Sequence, residues 1–150
     1  MKHSILEQVK EDTAKWLEIA EEHQELLDHI RHVVDNTPEF VGLEVLYDKY
    51  NFTLSLNISI KIDHVRDATP ILRALGNLGL HQQMSMDKLA YSNAVRWILH
   101  KADVPIYIYL KGLLTGASCK YVWKPAGSVT IQNETMELVC NGEVVEDVSE

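Results

Sequence analysis

Apolar or tolerated side chains recur at Leu6, Val9, Thr13, Trp16, Ala20, His23, Leu27, Ile30 and Val34. This is the three-four spacing that keeps one stripe of an α-helix turned toward a partner surface. Just upstream, Ser4 and Glu7 have the S-x-x-E spacing of a capping box, in which the hydroxyl and the carboxylate satisfy backbone N–H groups that the first turn leaves unpaired. Asn36 and Pro38 supply the stop, because proline cannot continue a helix. The pattern predicts a single amphipathic helix filling residues 1–36, a rod of about 45–50 Å at ~1.5 Å per residue.

The positions flanking the stripe indicate what it packs against. One flank holds Ile5, Asp12, Ile19, Leu26 and Val33, and the other Lys10, Leu17, Gln24 and Arg31. A two-stranded coiled coil favours charge on both flanks, whereas a flank this apolar broadens the stripe to suit a sheet or a bundle of three or more helices. Two uses are open: the helix covers its own chain's sheet, or it joins copies of the chain into a homo-oligomer. The residues expected to carry assembly are Leu6, Val9, Trp16, Ile19, His23, Leu27 and Ile30. His23 puts a polar ring on the seam, where it can set register. Its protonation near an ordinary pKa of about 6.5 would charge the seam, so assembly is expected to weaken below that pH.

After Pro38 the period changes from three-four to two. Val41, Leu43, Val45 and Tyr47 alternate with less apolar residues, and a turn is expected near Asp48–Asn51. Phe52, Leu54, Leu56, Ile58, Ile60 and Ile62 then alternate strictly with Thr53, Ser55, Asn57, Ser59, Lys61 and Asp63, which predicts a strand with one aliphatic and one polar face. Pro70 in a first turn, with Ile71, Leu72, Leu75 and Leu78 behind it, predicts a short helix that Gly76 and Gly79 end. His81–Met86 can form a short strand. Residues 87–102 fit both periods, since Tyr91, Ala94, Val95, Ile98 and Ala102 make a helical stripe while Trp97 and Leu99 also alternate; a helix is expected from the length of the run. Ile106–Leu110 is a strand, Gly112–Ser118 a loop, and Lys120–Lys124 and Val129–Val139 two further strands. The order predicts an α+β fold, in which the long helix precedes a domain over 37–140 whose mostly antiparallel sheet is covered by one or two helices.

Charge refines this picture. Of 150 residues, 14 are Lys or Arg and 22 are Asp or Glu, for a net charge of −8. Residues 1–35 account for −5 of it and the acidic tail, 141–150, for −4, leaving the middle close to neutral. An acidic helix disfavours nucleic acid through that surface, because phosphate attraction needs clustered Lys and Arg. The run is read as a solvated face, with a basic partner as the sharper alternative. No stretch of about 18 apolar residues is present, so no membrane contact is expected. Met1–Ser4 leads straight into a charged helix, and a cytoplasmic setting is expected. Cys119 and Cys140 have neither zinc-ligand nor disulfide-framework spacing. A tight turn at Pro125–Ser128 would set Cys119 opposite residues near Glu134, so free thiols are expected.

Few residues suggest chemistry. Glu25, His29 and His32 share one helical face but lack a further fixed ligand, so no metal is assigned. Gly112–Ser118 is the best candidate for anion contact: small residues let backbone N–H groups approach a phosphate, and Lys111 and Lys120 flank them. The candidate ligand residues are Lys111, Gly112, Thr115, Gly116, Ser118 and Lys120. Asp63–His64 could be an acid–base pair at a strand end, with simple exposure as the alternative. Tyr107 and Tyr109 share a strand face and could stack bases as sheet-based RNA readers do, though no accompanying motif supports it and packing is the better reading. Neither a catalytic residue nor a cofactor is assigned.

The strand Ile106-Tyr-Ile-Tyr-Leu110, followed by Cys119-Lys-Tyr-Val122 and Val139-Cys140, with an upstream helix ending at Leu75-Gly76-Asn-Leu-Gly79, resembles small phage-encoded α+β proteins of unknown function. The resemblance covers about half of the chain and leaves out the N-terminal helix. It implies a viral origin, a cytoplasmic setting during infection and no catalytic residue. The function expected is non-enzymatic: a phage or bacterial accessory protein that self-associates through its first helix and engages a macromolecular partner. The alternative is a small-ligand or nucleotide binder using the Gly112–Ser118 loop and the polar sheet face, and a small enzyme without a recognisable motif ranks third.

Overall fold

The computed structural model describes residues 4–89, 93–115, 119–124, 135–140 and 143–144. Helix α1 (Ile5–Glu22) opens with the expected capping box, Ser4 Oγ accepting from Glu7 N–H at 3.1 Å and Glu7 Oε2 accepting from Ser4 N–H at 3.2 Å. The rod is not continuous. At His23 the backbone leaves the helical region (φ −112°, ψ 27°), and a second helix, α2 (Gln24–Asp35), begins. The division falls within Glu21-Glu22-His23-Gln24-Glu25, a run with no apolar side chain on any face. Beyond the break α2 buries Ile30 and Val34 in the core, whereas α1 has no fully buried residue.

Strands β1 (Phe40–Asp48) and β2 (Thr53–Ile62) form the expected antiparallel hairpin, with a bulge between Phe40 and Gly42. Every second residue of β2 from Leu54 to Ile62 is buried. A single 3₁₀ turn (Val65–Ala68) leads into α3 (Thr69–Asn77), whose Ile71, Leu72 and Leu75 are buried. The short β3 (His81–Gln82) and β4 (Asp87–Leu89) follow.

The helix expected over 87–102 is instead two strands, β4 and β5 (Ala94–His100). The reason is tertiary. Strand β6 (Ile106–Leu114) pairs with β5 along its whole length, and Val95, Trp97 and Leu99 alternate into the core. A helix there would leave the adjoining edge of β6 without that partner. Together these strands form a six-stranded sheet in the order β1-β2-β6-β5-β3, with β4 also pairing β5. All its pairings are antiparallel except β2 with β6. One face packs Leu56, Ile58, Ile60, Trp97, Ile108 and Leu110 against Ile30, Val34, Leu72 and Leu75 of the helices. The fold is therefore α+β, with helices α2 and α3 on a mostly antiparallel sheet.

Strands β7 (Cys119–Lys124), β8 (Thr135–Cys140) and β9 (Glu143–Val144) make a second sheet, tied to the main core through Leu138. Its register corrects the cysteine placement, because Cys119 lies opposite Cys140 rather than near Glu134. The register sets Lys124 opposite Thr135, which a tight turn at Pro125–Ser128 would not do. Residues 129–134, expected to extend that strand, lie outside the described residues. Glu143–Val144, assigned to the acidic tail, pairs with β8.

Candidate functional site

The expected anion loop does not assemble at Lys111–Gly112. Strand β6 continues to Leu114, and Gly112 sits inside it opposite Val95 and Ile60. A Cβ at this position would lie 2.9 Å from Ile62 Cδ1 and 3.2 Å from Trp97 Cζ3, so the glycine serves close packing rather than a phosphate cradle. Thr115 ends the strand and ties it to β2: its N–H donates to Ile62 O at 3.0 Å and its hydroxyl to Asp63 Oδ1 at 2.9 Å. That bond also gives Asp63 a structural partner, and the neighbouring His64 N–H caps the 3₁₀ turn by donating to Asp67 Oδ2. Gly116 and Ser118 lie outside the described residues, and Lys120 is placed on β7 by its backbone alone.

The residues expected to drive assembly fall into three groups. Ile30 is buried, and Trp16, Ile19 and Leu27 are partly buried against the core, so these serve the chain's own fold. Trp16 stacks on Tyr47 with ring centroids 6.5 Å apart, and next to it the Lys15 ammonium lies 5.5 Å from the centre of the Phe52 ring. The docked part of α1 thus begins beside the β1–β2 turn. Leu6 and Val9 behave differently: they are 63% and 54% exposed, and from Ile5 to Lys15 only Asp12 is even half-buried. His23, half-buried, sits at the break between helices and not in the exposed stripe.

The turn next to this stripe is tightly organised. Asp48 Oδ1 accepts from Tyr50 N–H at 2.9 Å and from Asn51 N–H at 3.2 Å, and Asp48 Oδ2 accepts from Asn51 Nδ2 at 2.7 Å. Donation from the Asn51 side chain, aided by those two backbone N–H groups, holds the Asp48 carboxyl below its ordinary pKa. Phe52 then takes a positive φ of 55°, an unfavourable conformation for a bulky residue, and still leaves its ring 57% exposed.

The sheet face opposite the core joins the expected polar face of β2 to Asp87, Arg96 and His100, which no local pattern had singled out. The registers align Ser59, Lys111, Arg96 and Asp87 in one row across β2, β6, β5 and β4. Asn57, Tyr109 and Ile98 form the next row, and Ser55, Tyr107 and His100 the one after. Arg96 Nη2 donates to Asp87 Oδ2 at 2.9 Å, and its guanidinium stands 5.9 Å from the Tyr109 ring centre. His100 and Tyr107 stack at 4.1 Å. Tyr107 and Tyr109 therefore share a half-buried polar face, and core packing does not account for them. The signal for this face was the polar half of the β2 alternation; its basic side could be found only once β5 was placed beside β6.

Among the described residues no cluster of three His, Cys, Asp or Glu side chains is arranged to hold a metal, and no helix is long and apolar enough to cross a membrane. Comparison with known proteins finds no matching family model, no matching curated protein and no matching solved structure.

Proposed function

We propose that this protein is a non-enzymatic binding and assembly protein that pairs with a second copy of itself through the exposed first half of α1 and, so assembled, engages a macromolecular partner. The observation that carries the reading is the change along one continuous stripe. From Trp16 onward the stripe is served by the chain's own core, whereas Leu6 and Val9 continue it for about 15 Å of helix with nothing beneath them.

A second copy suits this surface because the same stripe can satisfy itself about a two-fold axis. Between Ile5 and Ala14 the helix has one base, Lys10, among Glu7, Glu11 and Asp12, and an antiparallel pair sets each Lys10 against the other copy's acids. Tyr50 and Phe52, exposed in the adjoining turn, extend the apolar area. The resemblance to small phage-encoded proteins supports a cytoplasmic accessory role during infection.

Light scattering coupled to size exclusion, at tens of micromolar protein and pH 7.5, tests this. The wild-type chain is expected at a multiple of its 17.1 kDa mass. The Leu6→Lys, Val9→Lys double variant is expected at the monomer mass and still folded, with a urea midpoint that no longer depends on protein concentration, since exposed substitutions usually alter a monomer's stability by no more than about 0.5 kcal/mol. A monomeric wild type, or an oligomer that survives both substitutions, would overturn the reading.

A further inference from the structure

The polar face of the main sheet, opposite the face that the helices cover, holds a concavity of about 490 Å³, a size that small-molecule sites commonly have. Its floor is Ser55, Asn57 and Ser59, three alternate residues of β2 whose side chains make no hydrogen bond among the described residues. One wall is Lys111 and Arg96, directly opposite each other on antiparallel strands. Side chains so placed start about 4.5–5.5 Å apart at Cβ, and like charges there repel.

Only one of the two cations is neutralised nearby. Asp87 and the Tyr109 ring hold Arg96 in place, while Lys111 has no ion pair among the described residues. Glu44 lines the same concavity from β1, but two strand spacings, roughly 9–10 Å, separate its strand from β6. The concavity thus has a positive end, the Glu44 carboxylate at the other and half-buried hydroxyl and amide groups between them, within a chain whose net charge is −8. Two adjacent cations with one counter-ion are an arrangement that an anionic group completes.

We infer that this concavity is a binding site for a small ligand carrying a carboxylate or phosphate. The anionic group sits between the Lys111 ammonium, the Arg96 guanidinium and the Ser59 hydroxyl. Asn57 and the Tyr109 ring receive the body of the ligand, and Glu44 accepts from a donor at its far end. The site differs from the one expected at Gly112–Ser118: it retains Lys111 from that set and takes its remaining members from β2 and β5.

The test is thermal shift and titration calorimetry with inorganic phosphate, succinate and adenosine monophosphate, at ionic strength held constant with sodium chloride. At least one probe is expected to raise the melting temperature saturably, because a ligand that binds only the folded state stabilises it. Phosphate and succinate separate the two anion chemistries, and the nucleotide reports whether a ring is also received. Lys111→Met is expected to weaken binding about tenfold or more while leaving the unliganded melting temperature unchanged or higher, since it relieves the opposed cations. Ser59→Ala, which changes no charge, is expected to weaken the same probe severalfold. Failure of all three probes to shift melting beyond the chloride control, or equal binding by Lys111→Met, would overturn the assignment. Neither result bears on self-association through α1.

Discussion

Replacing Gly112 with alanine separates a packing glycine from a ligand-loop glycine. The added methyl would meet Ile62 Cδ1 at 2.9 Å and both Trp97 Cζ3 and Val95 Cγ2 at 3.2 Å, where carbon atoms prefer about 3.5–4.0 Å. Ile62 presents a terminal methyl that can swing aside. Trp97 and Val95 are completely buried, and the β-branched valine has little χ1 freedom, so relief from them requires the strands to move. Overpacking of this kind costs about 1–3 kcal/mol, offset in part by the ~0.4–1 kcal/mol that alanine contributes by restricting the unfolded chain. The net expectation is a loss of about 1–2 kcal/mol, or a melting temperature lower by roughly 2–8 °C for a chain of this size. Urea denaturation followed by tryptophan fluorescence measures it. Ile62→Val removes the closest atom and alone should cost about 0.5–1.5 kcal/mol. Combined with Gly112→Ala, it should cost less than the sum of the two by about 0.5 kcal/mol or more, because the residues share one contact. A Gly112→Ala variant as stable as wild type, or strict additivity of the pair, would refute the packing argument.

Two further outcomes are expected. Trp16→Ala should lower stability by about 2–3 kcal/mol in urea titration, less than the ~3–5 kcal/mol of a fully buried tryptophan, because Trp16 is only partly buried against Tyr47 and the core; an unchanged midpoint would contradict docking of α1 on its own sheet. The Asp48 carboxyl titrates below its unfolded value near 3.8, so its contribution to the β1–β2 turn is complete above that pH and is lost as pH falls through the lower folded value. Amide exchange at Tyr50 and Asn51 should accelerate only below about pH 4 relative to the amides of β1, and Asp48→Ala should show the fast exchange at pH 7; equal protection in both proteins would remove Asp48 from the turn.

Local rules were enough where one period dominated. The alternation allowed only a strand with one buried face from Leu54 to Ile62, though Phe52, expected on that face, stands exposed in the turn, and the S-x-x-E spacing and Pro70 marked helix starts that need no tertiary help. The polar face of β2 was legible for the same reason. What failed did so where two local answers had similar energy. Residues 94–100 satisfy both periods, and the unpaired edge of β6 decided for a strand. Gly112 carries a loop-forming residue type, yet the bulk of Trp97 on the neighbouring strand makes glycine the side chain that fits there. The heptad stripe was visible from Leu6 to Val34, but only the packed structure separates the part from Trp16 onward, which meets the chain's own core, from the exposed Leu6 and Val9. Sequence alone determined the periodicities, the caps and the charge distribution, because each arises from neighbours a few residues apart. Strand partners and the meeting of Lys111 with Arg96 were decided by the tertiary structure, because backbone hydrogen bonds between strands and burial of apolar faces are satisfied only by residues far apart in the chain.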